Sequence, residues 1–263
     1  MCAAILLRED EGAIRTLTMN SPGSLNALSD AMLAALKTEF DQLETSSDIR
    51  VVILRGEGKA FCAGHDLKEM TAGRQAEDGG KAYFADLFNR CAAVMMQISR
   101  LPQPVIAEVH GIATAAGWQL VASCDLAVAA EGTRFGVNGV NIGLFCSTPM
   151  VALSRNVPRK QAFEMLSTGQ FIDAGKAERL GLINRAVPAD TLASATRDLA
   201  ETVAGKLGAA VRIGKQAFYE QSQMSLADAY GYTGGVMVEN MLFRDTEEGI
   251  AAFLEKRSPD WSQ

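Results

Sequence analysis

The stretch HGIATAAGWQLVASCD, residues 110–125, joins an apolar run to a helical one through small residues. Val105, Ile106, Ala107 and Val109 precede it and read as a buried strand. Gly111, Ala113, Ala115, Ala116 and Gly117 follow, a set small enough for another group to approach the backbone where a helix begins. The N–H groups at a helix start have no partner within the helix and carry partial positive charge. Such a turn suits an anion or a developing oxyanion, and equally the tight strand-to-helix packing of any α/β protein. Either way it sets the fold class as α/β.

Working outward, short apolar runs alternate with helical periodicity. Residues 5–7 and 13–18 read as two strands across a turn at Glu11 and Gly12. Ser29 caps a helix with Met32, Leu33, Leu36, Phe40 and Leu43 on one face. Residues 51–54 form a fully apolar strand, the kind buried on both faces, and run into the loop GEGKAFCAGHDLKEM. Residues 71–80 are polar and contain glycine, which predicts the most flexible segment and a cover for a pocket. Residues 81–100 read as a long helix, ended by Pro102 and Pro104.

Beyond the focal turn, residues 126–130 are a strand and 133–146 a glycine-punctuated loop. Residues 149–157 and 158–167 read as helices, as does 173–180 with Asp173 as cap, and 182–187 as a closing strand. From Ala189 onward the pattern is helical, over 191–206, 209–221, 226–243 and 247–256. The expected organisation is therefore a core over 1–188 and a helical appendage over 189–263.

Composition removes several function classes. Lys+Arg number 25 against Asp+Glu 31, a net charge of −6 with no basic run, which argues against nucleic acid and anionic membrane surfaces. No apolar run approaches a membrane span. The start of the chain is too short in apolar residues and too acidic for a secretory signal. Cys2, Cys62, Cys91, Cys124 and Cys146 contain no CxxC pair and read as free thiols of a reducing compartment, with the cytoplasm as the expected address. His65 and His110 are the only histidines and belong to no metal-ligand cluster, so no metal is expected. In GEGKAF, Lys59 is followed by Ala60 where a phosphate loop needs Ser or Thr, and no GxSxG elbow is present.

Two stretches together, KAFCAGHDLKEM at residues 59–70 and PVIAEVHGIATAAGWQLVASCDLAVA at 104–129, resemble the enoyl-CoA hydratase/isomerase (crotonase) superfamily. The resemblance continues through RFGVNGVNIGL, LSTGQFIDAGKAERLGLINRAVP and GIAAFLEKRSPDW. The run NIGLFCSTP followed by VPRKQAFEML is similar to its subgroup called enoyl-CoA hydratase domain-containing type 3. This resemblance implies a ClpP-like spiral of ββα units with a helical C-terminal trimerisation region, assembly as a homotrimer or homohexamer, and an acyl-CoA thioester as ligand. No separate cofactor is implied, because coenzyme A is part of the substrate.

In that family two backbone N–H groups bind the thioester oxygen, and the matching positions are His65 and Ala116. Chemistry beside a thioester places negative charge on that oxygen, and losing one donor costs about a hundredfold or more in rate. A side chain is irrelevant to an N–H donor, so Ala116 in place of the usual Gly is compatible. The bulkier His65 ring either meets phosphate or substrate or is an ordinary, partly exposed loop histidine. The resemblance further places Leu25, Ala63, Asp66, Leu67 and Lys68 against coenzyme A, with Phe253 and Lys256 reaching it from the C-terminal helices of the same or a neighbouring subunit.

The chain departs from the family at the chemistry. The two glutamates of a hydratase correspond to Gln119 and Gly139, and Ser147 stands where some relatives carry an aspartate. A positioned acid or base is worth about a hundred- to ten-thousandfold. Gln119 can hold a water or carbonyl but has no usable pKa, and Gly139 is expected to leave an opening. Asp66, Glu108, Cys146 and His65 are the candidates to replace the missing acid, none singled out by spacing. Two readings follow: a nominal hydratase/isomerase with altered or weak activity, or a catalytically silent acyl-CoA-binding or scaffolding protein.

Overall fold

The computed structural model describes residues 4–261. Cys2 lies outside them. A hairpin of β1 (Leu6–Glu11) and β2 (Ile14–Met19) opens the fold. The charged run that follows Leu7 continues as strand, and the turn sits at Gly12 and Ala13 rather than at Glu11. An exposed edge strand accommodates such charges, which also discourage pairing with another chain.

The chain continues through α1 (Asp30–Glu44), β3 (Val51–Gly56), α2 (Leu67–Gly73), α3 (Lys81–Arg100), β4 (Val105–Val109), β5 (Ile112–Thr114), α4 (Ala116–Ser123), β6 (Leu126–Ala130) and β7 (Arg134–Gly136). A 3₁₀ turn at Asn138–Ile142 leads to α5 (Pro149–Asn156), α6 (Arg159–Thr168), β8 (Ile172–Asp173), α7 (Ala174–Arg179) and β9 (Arg185–Val187). The helices α8 (Leu192–Ala204), α9 (Gly208–Gln221), α10 (Leu226–Met241) and α11 (Arg244–Glu255) complete it. The expected caps form: Ser29 accepts the Met32 N–H and Asp173 that of Lys176.

The main sheet has the order β1-β2-β3-β4-β6-β9 and is parallel from β2 onward. Strand β4 is buried along its length and β3 over its apolar residues, which parallel strands covered on both faces require. One face, through Leu17, Val52, Leu54, Val105 and Ala107, packs on α1 and α3. The opposite face, through Ile14, Val51, Ile53 and Ile106, packs on Ala200, Leu199 and Val203 of α8.

The boundary expected at 188/189 is therefore not a packing boundary, because α8 supplies the second layer of the sheet. Helix α9 is also tied to the core. The Lys215 ammonium donates to the carbonyls of Ile98 and Gln103 and to Asp125, at 2.8, 2.8 and 2.7 Å, and the Tyr219 hydroxyl donates to the other oxygen of Asp125 at 2.7 Å. Helix α10 packs on α9, and α11 on α10.

A second small sheet, β5-β7-β8, was not foreseen. Its strands are too short to show a period of two, and they interrupt what reads as loop on both sides of α4. The segment expected to be most flexible, residues 71–80, is the end of α2 and a turn in which Asp78 accepts the N–H groups of Gly80 and Ala82. Leu182 and Ile183 are buried but precede the closing strand rather than belonging to it.

Candidate active site

The loop after β3 and the turn before α4 meet backbone to backbone. The N–H of Phe61 donates to His110 O, that of Cys62 to Ile112 O, and that of Thr114 back to Cys62 O, all at 3.1–3.2 Å. Glycine is required at two of these contacts. A Cβ on Gly111 would stand 2.0 Å from Lys59 O, and one on Gly117 2.2 Å from Cys62 O. A Cβ on Gly64 would lie 3.4 Å from the Ala116 nitrogen, so the residue preceding His65 is against the start of α4.

Ala115, the residue before that helix, has φ 51° and ψ −117°, a conformation that favours glycine and costs of order 1–3 kcal/mol for other residues. Hydrogen bonds on both sides hold it there: its N–H donates to Gly136 O at 2.9 Å and its carbonyl accepts from the Gln119 N–H at 3.0 Å. Helix α4 starts without a side-chain cap. Among the described residues neither the His65 nor the Ala116 N–H has an acceptor outside regular helix or strand bonding. The chain thus presents two unpaired amide donors, one on each of two interlocked segments.

Around the His65 amide, Ala63 donates to Leu25 O at 3.0 Å and Leu28 to Gly64 O at 2.7 Å. The His65 ring lies against Phe88, and its Nδ1 is 3.4 Å from Leu28 O, which accepts a hydrogen bond in the tautomer protonated at Nδ1. Its Nε2 is buried without a partner among the described residues. Burial pushes the imidazole below its ordinary pKa, which favours the neutral ring.

The surroundings of Gln119 and Gly139 are organised differently. Gln119 is 5% exposed, and its Oε1 has no partner among the described residues. Gly139 does not leave the opening expected of it: a Cβ there would meet Leu144 O at 2.3 Å and Cys146 Sγ at 2.8 Å. The chain from 143 to 146 folds back over the 3₁₀ turn and fills that direction, with Leu144 N–H donating to Gly139 O at 2.9 Å. Ser147 is exposed.

None of the candidates for a replacement acid is placed as a free carboxylate beside the amides. Asp66 caps α2, accepting the N–H groups of Lys68 and Glu69 at 2.8 and 3.3 Å. Glu108 alternates with Ala107 and Val109 on β4 and so points to the α8 side; burial raises its pKa. Burial also raises the Cys146 thiol, and holds Cys62 and Cys91 up at about 12, so these cysteines are packed thiols rather than nucleophiles.

Of the residues expected against coenzyme A, Leu25, Ala63, Asp66, Leu67 and Lys68 cluster along this loop, with Leu25, Leu67 and Lys68 exposed. Phe253, 82% exposed, lies on α11, which packs on α10, and Lys256 ends that helix. Asn26, which sequence reasoning passed over, is wholly buried behind the loop and bonded to it at Glu57 and Ala60. Its signal was faint: an asparagine among small polar residues looks like any turn. Among the described residues no group of three or more His, Cys, Asp or Glu is placed to hold a metal ion, and no helix is long and apolar enough to cross a membrane.

Comparison with known proteins extends this picture. The family model described as enoyl-CoA hydratase/isomerase matches residues 9–263. The human enoyl-CoA hydratase domain-containing protein 3, mitochondrial, is 47% identical over 249 residues, covering 95% of this chain and 80% of the relative. Its namesake from Xenopus laevis is 46% identical over 254 residues, covering 97% and 85%. Among solved structures, an enoyl-CoA hydratase of Mycobacterium smegmatis superposes with a TM-score of 0.94 at 52% identity, covering 98% of this chain and 99% of that one. The human domain-containing protein 3 superposes with a TM-score of 0.93 at 45% identity, covering 98% and 100%. The mitochondrial names of these relatives overturn the cytoplasmic address. Free thiols distinguish reducing from oxidising surroundings and do not choose among reducing compartments.

Proposed function

The chain belongs to the enoyl-CoA hydratase/isomerase family, and from that premise we propose that it binds acyl-CoA thioesters with the thioester oxygen between the N–H groups of His65 and Ala116. The observation that carries this reading is the pair of unpaired amides on two segments locked together by backbone hydrogen bonds. Donors fixed in advance stabilise an enolate oxygen without reorganisation. Leu25, Ala63, Asp66, Leu67 and Lys68 line the coenzyme part. Coenzyme A enters as part of the substrate, with no further cofactor.

The reaction is of the hydratase/isomerase type but weak or altered, because Gln119 and Gly139 supply no carboxylate. Gln119 holds a water or a substrate carbonyl through its amide. A second reading, a silent acyl-CoA-binding or scaffolding protein, is favoured by the filled space beside Gly139. Isothermal titration with acetyl-, crotonyl- and longer acyl-CoA tests binding, and absence of heat at millimolar ligand overturns it. Loss of enoyl-thioester absorbance separates the enzyme from the silent binder.

Assembly as a trimer or hexamer is part of the same reading. Leu226 and Tyr230 on α10, Leu242 just after it, and Phe253 and Leu254 on α11 stand exposed, an apolar surface that suits a second copy and would bring Phe253 and Lys256 to a neighbouring coenzyme site. A monomer by light scattering at micromolar protein overturns it.

A further inference from the structure

We infer that Asn26 is a positioning residue for the thioester site: its side chain clasps the loop that carries the His65 N–H and so sets where that donor points. The inference rests on the proposed placement of the thioester oxygen between the amides of His65 and Ala116.

Asn26 has no exposed surface and a left-handed backbone, φ 53°, which asparagine tolerates better than most residues. All its directional groups are engaged. Its Oδ1 accepts the Ser21 N–H at 2.9 Å, and its Nδ2 donates to Glu57 O and Ala60 O, each at 2.8 Å. Both carbonyls can only accept and the Ser21 amide can only donate, so the orientation of the side-chain amide follows from its partners. Glu57 and Ala60 bracket the turn out of β3, where Gly56 leaves room for the clasp: a Cβ there would lie 2.8 Å from Nδ2.

The residues flanking Asn26 continue the grip. Leu25 O accepts from Ala63, and Leu28 donates to Gly64 O and pairs as a bridge with His65. Loop 57–65 is thus bonded at 57 and 60 by the Asn26 side chain and at 63 and 64 by its neighbours' backbone. The next amide, His65, is the one without an acceptor. An aspartate at 26 would set oxygens against two carbonyls, and a glutamine would carry an extra methylene in a space with no exposure. Asparagine meets all three partners at this reach.

The test compares cinnamoyl-CoA, whose conjugated thioester absorbs further to the red when its carbonyl oxygen is polarised, with free coenzyme A, which has no thioester. In the wild-type chain bound cinnamoyl-CoA shifts to the red. In Asn26→Asp that shift is lost and affinity for cinnamoyl-CoA falls about tenfold or more, the scale of one well-placed hydrogen bond, while coenzyme A affinity changes less than about threefold. A folded variant that keeps the shift, or weakens both ligands equally, overturns the inference and leaves the proposed function standing. A wild-type protein that binds cinnamoyl-CoA without any shift overturns the amide reading and this inference with it.

If Asn26→Asp does not fold, Asn26→Ala, which removes the same three hydrogen bonds without adding a charge, gives the same readout. If neither folds, hydrogen exchange of the ligand-free wild-type chain decides. Slow exchange at the Ala63 and Leu28 amides supports a preset loop, and exchange as fast as at unpacked Gly23 overturns it.

Discussion

The two halves of the site are built by different means. On the amide side, His65 and Ala116 belong to segments whose backbones interlock, made possible by the missing side chains of Gly111 and Gly117 and held by that of Asn26. On the side proposed for acid–base chemistry, what matters is side-chain chemistry, and there Gln119 and Gly139 offer none that titrates. The first half depends on main-chain geometry held by glycines at the contacts and by the Asn26 clasp. The second depends on one or two carboxylates that a single substitution removes. A fold of this kind can therefore keep its ligand while losing or changing its reaction, which is how binding and turnover come apart.

The largest effect is expected where the amide side is broken directly. Gly117→Ala places a methyl group 2.2 Å from Cys62 O, a backbone atom that cannot swing aside. The expected loss is about 3 kcal/mol or more, a fall in Tm of roughly 6–12 °C for a chain of this size, read by thermal unfolding. An unchanged Tm would show that the interlock is looser than its hydrogen bonds suggest.

Turnover tests the other half. Wild-type protein is expected to hydrate crotonyl-CoA at least about a hundredfold more slowly than an efficient enzyme, and Gln119→Glu alone is expected not to restore it. A kcat/KM near about 10⁴ M⁻¹s⁻¹ in either protein would break the comparison. Gly139→Ala should destabilise by about 1–3 kcal/mol through the Leu144 carbonyl and the Cys146 sulfur. If it is neutral, segment 143–146 yields easily and a larger side chain at 139 is admissible.

The smallest expected effect is the pH response of His65. Burial lowers its pKa in the folded chain, so between that value and the ordinary one near 6.5 the unfolded chain binds more protons. Stability from this residue is complete above about pH 6.5 and declines as the pH falls below it. The difference in Tm between pH 7.5 and 5.5 should shrink in His65→Phe. An unchanged difference would place the imidazole in contact with solvent.

Local elements were legible because their signals are local. The Ser29 cap and the face through Met32, Leu36 and Phe40 define α1, and the apolar runs at β3, β4 and β6 stand out by composition alone. The two-residue strand β8 and the three-residue strands β5 and β7 carry no periodicity and exist through their partners. Helix α8 read as appendage because its amphipathic pattern says that it buries one face without saying against what. The cytoplasmic address failed for a similar reason: thiol chemistry reports redox conditions and carries no location.

By itself the sequence determined which chemical groups stand at the proposed site: a glutamine and a glycine where the resemblance leads one to expect carboxylates, and glycines where backbones touch. Only the tertiary structure decided that the amides of His65 and Ala116 remain unpaired, that Leu144 and Cys146 fill the space beside Gly139, and that Asn26 holds the loop between them. Side-chain chemistry is a property of each residue and survives in a string of letters. Pairing and filling are properties of segments far apart in the chain, brought together when the sheet and its helices bury their apolar faces, and no local pattern encodes the distances at which they meet.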